Sequence, residues 1–293
     1  MDVNNFLEYL RVERNCSKLT IKAYGEDLKD FEDYFRSLDC GMSWENVDSD
    51  VIRGWMVEMM DKGNNAVSVN RRLCALRSFF RYGLSHGLVT KDPAHGITGP
   101  KKEKPLPQFV RECEMDKLLE KDMWDDSYKD VLERTVILTF YTTGMRLSEL
   151  TGLDTEGVDF ANSQIKVLGK RNKERIIPFG EELGIALKQY VEKRNDNVKS
   201  VSDAFFIDKV GERLTSNQVR HIVKKNLQKV CTLKKCTPHV LRHSFATAML
   251  NHDAEIESLK KLLGHQSLET TEIYTHTTFE QLKKIYTSAH PRA

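Results

Sequence analysis

A stretch rich in Gly, Pro and Lys, GLVTKDPAHGITGPKKEKPLP at residues 87–107, separates two long segments that both carry helical periodicity. This composition is typical of an extended linker, because Gly and Pro interrupt regular structure and like charges repel one another. With 293 residues, the chain is long enough for two domains. We therefore predict an N-terminal domain over 1–86, a linker over 87–107 and a C-terminal domain over 108–293.

Composition and charge exclude several classes of protein. Hydrophobic residues make up 40% of the chain and charged residues 30%, which is ordinary for a globular protein. The net charge is only +2, so a nucleic-acid partner would have to meet a local basic patch. The N-terminus lacks the apolar core of a signal peptide, and the most apolar run, TVILTFY at 135–141, is too short to span a bilayer. Six scattered cysteines favour a reducing compartment, so we expect a cytoplasmic protein with no membrane partner.

The N-terminal domain is predicted to be helical, because its apolar residues recur at spacings of three and four. A helix at about 68–85 has the clearest pattern, with a buried stripe of Val69, Leu73, Leu76, Phe80 and Leu84. Four arginines lie off this stripe or flank it: Arg71, Arg72, Arg77 and Arg81. The pattern fits a solvated surface as well as a helix laid on DNA, where Arg binds phosphate or guanine.

The C-terminal domain is predicted to be mixed. Helices are expected at about 112–122, 127–143, 181–193 and 216–230. The segment SQIKVLGKRNKERIIPFG at 163–180 predicts a β-hairpin, and DAFFID at 203–208 a short strand. Arg220 and Lys224 lie on the last of these helices and suit either a DNA-binding surface or a solubilising one. The predicted fold class is therefore mainly α with a small β-sheet.

Residues 237–250, TPHVLRHSFATAML, predict a helix whose first turn carries an imidazole and a guanidinium. Thr237 is a suitable cap and Pro238 suits the first helical position. His239 and Arg242 then lie three residues apart on one side of the first turn. A helix N-terminus with these two groups is a site for phosphate, although such a pair taken alone is more often a surface feature.

Two further segments deliver cations. In YTTGMRLSEL, Gly144 ends one helix and Arg146 opens the next, which fixes a guanidinium at a helix junction. Lys170 lies at the end of the first hairpin strand, where a hairpin tip can place an ammonium group in a groove. Each residue alone is equally compatible with an ordinary surface position.

The segment LLGHQSLETTEIYTH, residues 262–276, adds a histidine and a tyrosine. One helix is predicted to end at Gly264 and to present His265, and the next helix to carry Tyr274. A phosphate-binding His and Arg followed by these groups suggest phosphoryl transfer with tyrosine as the nucleophile. Tyr286 is the alternative nucleophile, but it lies 21 residues beyond His265, against nine for Tyr274.

With these motifs in this order, the chain resembles the tyrosine recombinases, the integrase family of site-specific DNA recombinases, and is closest to its compact Xer-type members. GMRLSEL, GKRNKERIIP, HVLRHSFAT, LLGH and IYTH resemble the segments that hold the family's catalytic groups. VNRRLCALRSFFRYGLSHGLVTKDPA resembles the end of its core-binding domain, and GPKKEKPLP, with Lys101 and Lys102, its interdomain linker. The resemblance implies a helical core-binding domain and a mixed α/β catalytic domain that form a clamp around DNA.

The resemblance also implies an activity and a set of residues. The activity is site-specific recombination through a 3′-phosphotyrosine and a Holliday junction, as in chromosome-dimer resolution or in integration and excision of a mobile element. The catalytic residues would be Arg146, Lys170, His239, Arg242, His265 and the nucleophile Tyr274. The guanidinium groups suit phosphate oxygens, because they stay ionised and bind two of them. Lys170 would be the general acid, His239 would assist proton movement, and His265 would bind a phosphate oxygen. Glu149 either orients this cluster or is a surface acid.

The implied partners are double-stranded DNA with paired half-sites and further protomers. A homo-tetramer, or a hetero-tetramer with a related recombinase, would act on two DNA duplexes in the cytoplasm, associated with the nucleoid. The candidate DNA contacts are Arg71, Arg72, Arg77, Arg81, Lys101, Lys102, Arg220 and Lys224. The amphipathic tail at 279–289 is expected to dock on a neighbouring protomer. No cofactor or metal is expected, since the spacing of Cys231, Cys236, His239 and His243 is too short for a zinc finger.

Three alternatives remain at this point. A catalytically idle relative would bind DNA without covalent capture. A type IB topoisomerase would use the same chemistry without choosing a site. A transcription factor built on the N-terminal helices would leave the six-residue set unexplained.

Overall fold

The computed structural model describes residues 1–102, 108–169, 174–199, 202–264 and 276–293, and within 276–281 the backbone alone. Contacts between Cα atoms divide the chain into two compact units, Met1–Pro105 and Leu106–Ala293. We call these the N-terminal unit and the C-terminal unit. The domain limits at residues 86 and 108 stay predictions.

Helices dominate both units, which confirms the predicted fold class. Across the described ranges the N-terminal unit has α1 (Val3–Val12), α2 (Lys18–Leu38), α3 (Ser49–Asp61) and α4 (Ala66–Ser85). The helices of the C-terminal unit are α5 (Glu112–Leu119), α6 (Tyr128–Thr143), α7 (Leu147–Thr151), α8 (Glu181–Asn197), α9 (Ser216–Leu227), α10 (Pro238–Asn251), α11 (Ile256–Leu263) and α12 (His276–Ala289). None of the helices in the described ranges is long and apolar enough to cross a membrane.

The helices of the N-terminal unit begin at polar side chains that accept hydrogen bonds from the first turn. Asp2, Ser17, Asp48 and Asn65 each occupy the N-cap position of one helix and accept from its backbone N–H groups. These bonds satisfy donors that have no partner inside a helix. The sequence therefore determines where each of these helices starts.

The buried side of α4 confirms most of the predicted stripe. Val69, Leu73, Leu76 and Phe80 are fully buried. Leu84 is 46% exposed, so its assignment to the stripe is wrong. The buried positions continue through Phe79 and Gly83 instead, because the helix turns about 100° per residue and Leu84 has rotated away from the core.

Part of the predicted linker packs on the N-terminal unit. Ala94 and Ile97 are buried in the same core as α4. Arg77 of α4 donates to the carbonyl oxygen of Ala94 at 3.4 Å and also to that of Ile97. The side-chain amide of Asn70 donates to the carbonyl oxygen of Pro100 at 2.8 Å. This segment is therefore held by donors from α4 as well as by apolar burial.

Helix α6 forms the centre of the C-terminal unit and is buried around most of its circumference. It packs against α8 and α10. Its buried threonines donate to the carbonyl groups four residues earlier, as in the bonds from Thr139 to Thr135 at 2.7 Å and from Thr142 to Leu138 at 2.8 Å. A buried hydroxyl without a partner is costly, so these bonds allow polar residues to lie in the core.

The strands β1 (Val158–Asp159), β2 (Gln164–Leu168) and β3 (Glu174–Pro178) form an antiparallel sheet in the order β1-β2-β3. The pairing of β2 with β3 confirms the predicted hairpin. In its register, Ile165 lies opposite Ile177 and Val167 opposite Arg175. Strand residues alternate between two sides, so these four residues share the buried side of the sheet.

The strand predicted at 203–208 is wrong. In that segment the structure has only isolated bridges, one between Asp154 and Ala204 and one between Ile207 and Arg213. Side chains of α8 and backbone groups of neighbouring loops are its hydrogen-bond partners, instead of a continuous paired strand. The Tyr190 hydroxyl accepts from the N–H of Ile207 at 3.0 Å, and the Arg194 guanidinium donates to the carbonyl of Phe205 at 3.0 Å. The apolar run is buried as predicted, but its polar backbone is satisfied without a sheet.

Two glycines end helices in the left-handed conformation, as predicted. Gly144 follows α6 with φ 58°, and Gly264 follows α11 with φ 63°. A Cβ at Gly144 would lie 2.4 Å from the ring of Phe245 and 3.0 Å from Leu263. The end of α6 therefore needs both the backbone freedom and the small size of glycine.

The C-terminal tail packs on its own chain. Leu282, Tyr286 and Ala289 of α12 share a buried cluster with Phe245 of α10. Beyond the helix, Arg292 forms ion pairs with carboxylates of α5 and α8. The docking of the tail on a neighbouring protomer stays a prediction; in the single chain its apolar side is covered by the C-terminal unit.

We expect Gly144→Ala to lower the free energy of unfolding of the C-terminal unit by about 2–4 kcal/mol, from left-handed strain and overlap with a buried ring. Gly184 in α8 is the matched control, because an added Cβ there meets only the Phe179 ring edge at 3.3 Å and no strain arises. Gly184→Ala should stay within about 1 kcal/mol of the parent. Urea unfolding measures both, and equal effects would contradict this account of Gly144.

Candidate active site

The first turn of α10 carries the predicted His239 and Arg242. Pro238 is its first residue and Thr237 occupies the N-cap position, but the Thr237 side chain makes no capping bond, contrary to expectation. His239 is exposed at this helix start. Partial desolvation and the nearby charges of Arg242, His243 and Arg220 lower its pKa. The imidazole is therefore neutral at pH 7 and free to accept a proton.

Arg242 joins the ends of two other helices. Its Nη1 donates to the carbonyl oxygen of Gly144 and its Nη2 to that of Leu263, both at 2.6 Å. Burial lowers the pKa of Arg242 to about 10, and the charges of Arg146 and Arg175 add to the effect. The guanidinium remains protonated at neutral pH, so the protein holds a fixed positive charge at this point.

Arg146 lies at the start of α7, as predicted, and is three-quarters buried. Its Nη1 donates to Glu149 Oε1 at 2.8 Å and its Nη2 to the carbonyl oxygen of Gly264 at 2.8 Å. Its backbone N–H donates to Glu149 Oε2 at 2.6 Å. Both ends of the residue are thus held, which fixes the direction of the guanidinium.

Glu149 is buried and belongs to the cluster, so its interpretation as a surface acid is excluded. It is 2% exposed and pairs with Arg175 as well as Arg146. Burial alone would raise its pKa, but hydrogen bonds and charges from Arg175 and Arg146 lower the pKa below the usual value. Glu149 is therefore ionised at neutral pH and holds two cations in place.

Arg175 is a residue of this cluster that we did not predict. It lies on β3 and is 8% exposed. Its Nη2 and Nε donate to Glu149 at 2.8 and 3.3 Å, and its Nη1 donates to the carbonyl oxygen of Leu262. The alternation of β3 was the available signal, because it places Arg175 on the same side as the buried Ile177.

Three guanidinium groups thus converge on the C-terminal end of α11. Arg175, Arg242 and Arg146 donate to the consecutive carbonyl oxygens of Leu262, Leu263 and Gly264. The last carbonyls of a helix lack internal partners and carry partial negative charge, so they stabilise this density of cations. Positive charge concentrated in this way attracts the oxygens of a phosphate.

The other predicted catalytic residues, Lys170, His265 and Tyr274, lie outside the described residues. In sequence, described residues lie within two positions of each of them. Strand β2 ends two residues before Lys170, and Gly264 directly precedes His265. Among the described residues, no group of three or more His, Cys, Asp or Glu side chains is arranged to hold a metal ion.

The described tyrosines of the C-terminal unit are all committed to the core. Tyr286 is 1% exposed, and burial raises the pKa of its hydroxyl. Burial also raises the pKa values of Tyr128, Tyr141 and Tyr190. A hydroxyl with a pKa raised by burial loses its proton with difficulty. Tyr286, the alternative nucleophile, is therefore poorly placed for the role.

Of the four arginines on α4 that are predicted to contact DNA, two are exposed and two are partly buried against protein groups. Arg71 forms a two-pronged ion pair with the buried Asp27, one bond of which is 2.7 Å, and remains 49% exposed. Arg72 pairs with Asp30 at 3.3 Å and Arg77 donates to the two carbonyls described above. Arg81 is exposed. Arg72 and Arg77 are thus engaged in holding the N-terminal unit.

The other predicted contacts are at the surface. Lys101, Lys102, Arg220 and Lys224 are all exposed. Arg220 donates to Asn217 Oδ1 at 3.0 Å on its own helix. These cations are available to a ligand without loss of a buried partner.

Comparisons with known proteins agree over nearly the whole chain. Residues 108–281 match the phage integrase family, and residues 3–87 match the phage integrase N-terminal SAM-like domain. The chain is 38% identical over 301 residues to tyrosine recombinase XerC of Pelotomaculum thermopropionicum, covering 99% of this chain and 98% of that protein. It is 32% identical over 294 residues to tyrosine recombinase XerD of Oceanobacillus iheyensis, covering 99% and 98%.

A solved structure has the same fold. The XerH site-specific recombinase bound to palindromic difH substrate, in a post-cleavage complex, matches with a TM-score of 0.72 at 23% identity, covering 97% of this chain and 83% of that one. The chain therefore belongs to the phage integrase family. It is an enzyme of site-specific DNA recombination that works by the tyrosine recombinase mechanism, with Xer-type relatives.

We expect Glu149→Gln to lower the free energy of unfolding at pH 7 by about 3 kcal/mol, since two buried cations lose their ionised partner. The folded pKa of Glu149 lies below its unfolded value, so its contribution is present above about pH 4.5 and is lost as the pH falls through the folded pKa. The difference between parent and variant should therefore shrink on acidification. Urea unfolding at pH 7 and at successively lower pH measures this; a constant difference would contradict it.

Proposed function

We propose that this chain cleaves DNA by attack of Tyr274 on a phosphodiester, with Arg146 and Arg242 binding the phosphate. The observation that carries the proposal is the position of these two guanidinium groups, which donate to the neighbouring carbonyls of Gly264 and Leu263. Both cations are fixed by backbone atoms before any DNA is bound. Catalysis of phosphoryl transfer consists mainly of placing charge of this kind around the reacting phosphorus.

The reaction follows from the groups available. A bond forms between the Tyr274 oxygen and phosphorus, and the bond from phosphorus to the 5′-oxygen breaks. The result is a 3′-phosphotyrosine and a free 5′-hydroxyl, so the phosphodiester energy is retained for rejoining. Tyrosine has a pKa near 10 and must lose its proton during attack. Lys170 supplies a proton to the leaving 5′-oxygen, and His265 binds a phosphate oxygen.

His239 is the group proposed to assist the tyrosine proton. Its lowered pKa leaves the imidazole neutral at pH 7, which is the form that accepts a proton. Burial is the main cause of this lowering, and Arg242, the next cause, is also proposed to bind the phosphate, so one guanidinium serves both roles.

We expect Tyr274→Phe to bind DNA and form no covalent adduct. Tyr286→Phe is the matched control, because that hydroxyl is buried and should leave adduct formation near the parent level. A nicked DNA substrate traps the adduct, because the short fragment with the free 5′-hydroxyl diffuses away and rejoining cannot occur. Denaturing gel electrophoresis quantifies the adduct. The assignment of the nucleophile would be overturned if Tyr274→Phe still formed the adduct. It would also be overturned if Tyr286→Phe lost the adduct while Tyr274→Phe kept it.

The two units are proposed to hold DNA as a clamp, with the predicted cations as contacts. The exposed Arg81, Lys101, Lys102, Arg220 and Lys224 meet phosphates directly. Arg71 presents its exposed edge while Asp27 holds the other. Arg72 and Arg77 would contact DNA only by releasing protein partners, so we expect them to contribute less.

A comparison of two arginines on α4 tests this ranking. Arg81→Met should weaken DNA binding and reduce the slope of log affinity against log salt by about 1, as expected for one phosphate contact. Arg77→Met should leave that slope unchanged and destabilise the N-terminal unit by about 1–3 kcal/mol, since two carbonyls lose their donor. Filter binding over a range of salt concentrations, with urea unfolding, separates the two effects. The proposal would be contradicted if Arg77→Met reduced the salt slope while Arg81→Met left it unchanged.

We further propose that four protomers assemble on two duplexes with paired half-sites, in the cytoplasm at the nucleoid. Relatives named XerC and XerD both match over nearly the full length, which supports either a homo-tetramer or a hetero-tetramer with a related recombinase. Sedimentation of the protein on a synapsed substrate, alone and with the related recombinase of the same genome, distinguishes these two assemblies.

The target site is open to direct identification. Sequencing of the DNA junctions linked to the protein, with Tyr274→Phe as control, reveals the site that is cut. Recurrent junctions on the chromosome favour dimer resolution, and junctions at the ends of an element favour integration or excision. Scattered junctions that depend on Tyr274 would instead indicate an activity like that of a topoisomerase.

A further inference from the structure

Arg175 is the least exposed arginine of the cluster, and all its nitrogens are engaged. Two of them bind the Glu149 carboxylate and the third binds the carbonyl oxygen of Leu262. It therefore connects β3 with α7 and with the end of α11. A guanidinium in this setting has little surface left for a phosphate, whereas the side chains of Arg146 and Arg242 are more exposed.

The turn after α11 packs closely against the aliphatic part of the Arg175 side chain. A Cβ at Gly264 would be 3.0 Å from Arg175 Cδ and 3.3 Å from its Nε. The carbonyl of the same Gly264 accepts the bond from Arg146 at 2.8 Å. Arg175 thus supports Arg146 on two sides, through the carboxylate of Glu149 and through the position of the helix end.

We propose that Arg175 is a positioning residue for recombination, which fixes Glu149 and the end of α11 so that Arg146 is aimed at the scissile phosphate. The inference rests on the proposed role of Arg146. Arg175 touches no reacting atom, so its loss should slow cleavage at saturating DNA and leave DNA affinity nearly unchanged. A purely structural residue would instead reduce the folded fraction and affect all conditions alike.

The fall in cleavage rate at acidic pH, which we call the acidic limb of the pH profile, tests this role. The charged side chains placed against Glu149 are Arg146, Arg175 and, from α10, Arg242. Burial raises the pKa of Glu149 and the arginines lower it, so removal of Arg175 moves the pKa upward. Protonated Glu149 releases Arg146, and cleavage therefore fails at a higher pH in the variant than in the parent. His239 titrates in every variant, so the informative quantity is the difference between variants.

The experiment measures the rate of covalent cleavage of nicked DNA at saturating concentration, from pH 5 to 8, together with DNA affinity and thermal unfolding. Arg175→Met should reduce the rate about 100-fold, the effect of a misplaced catalytic group. Its acidic limb should move to higher pH, and its DNA affinity should change less than about 3-fold, because uniform binding is retained. In a Glu149→Gln background, Arg175→Met should produce no shift of that limb.

Arg213→Met is the matched control. Arg213 also binds carbonyls near α7, those of Thr151 and Leu153 at 3.0 and 3.3 Å, but it does not contact Glu149. This variant should lower stability and leave the acidic limb in place. Should Arg175→Met not fold, Arg175→Lys provides the test: its retained charge keeps the limb near that of the parent, while loss of the planar fork slows cleavage.

Several results would overturn the inference. A loss of rate that is equal at every pH, or a pH shift that persists in the Glu149→Gln background, would make Arg175 structural only. A large loss of DNA affinity with an unchanged saturated rate would make it a phosphate ligand. The proposed function fails separately if Arg146→Met cleaves at the rate of the parent. Slow cleavage by Arg146→Met with a parent-like profile for Arg175→Met would defeat the present inference alone.

Discussion

The C-terminal unit depends on one buried carboxylate held between two guanidinium groups. An ionised Glu149 in the protein interior costs several kcal/mol unless it is paired and fully hydrogen bonded. Arg146 from the start of its own helix and Arg175 from the sheet meet that requirement. The same contacts join α7 to β3, and the third bond of Arg175 extends the connection to α11. Stability and the direction of the proposed catalytic Arg146 are therefore set by the same interaction.

Two helix ends of opposite polarity meet this cluster. Helix α11 presents its last carbonyl groups, which attract cations, and α10 presents its N-terminal turn with His239. Because backbone atoms hold the guanidinium groups, little reorganisation is needed when a phosphate arrives. Membership of the phage integrase family establishes the recombinase activity. The contacts explain how the chain concentrates positive charge around the proposed catalytic arginines, although the net charge is only +2.

Local patterns predicted much of this structure. Helical periodicity, the hairpin and the helix ends at Gly144 and Gly264 were predicted from backbone preferences. The motifs also predicted that Arg146, His239 and Arg242 lie at helix starts. Interactions between segments that are distant in sequence were harder to predict. Both bonds of Arg77 and one bond of Arg175 go to backbone carbonyls, which have no signature in the sequence. The segment 203–208 has the pattern of a strand because it is apolar and buried, but side chains of α8 and isolated backbone bonds to neighbouring loops supply its hydrogen bonds.

The most direct test of the account is to identify the residue that carries DNA after cleavage. Trypsin should release Tyr274 in a peptide spanning residues 262–283 and Tyr286 in a separate peptide spanning 285–292. Mass spectrometry of the nuclease-trimmed adduct then shows which peptide bears the nucleotide. The account predicts a 3′-phosphate linkage on Tyr274 in peptide 262–283. A nucleotide on any other peptide would contradict it.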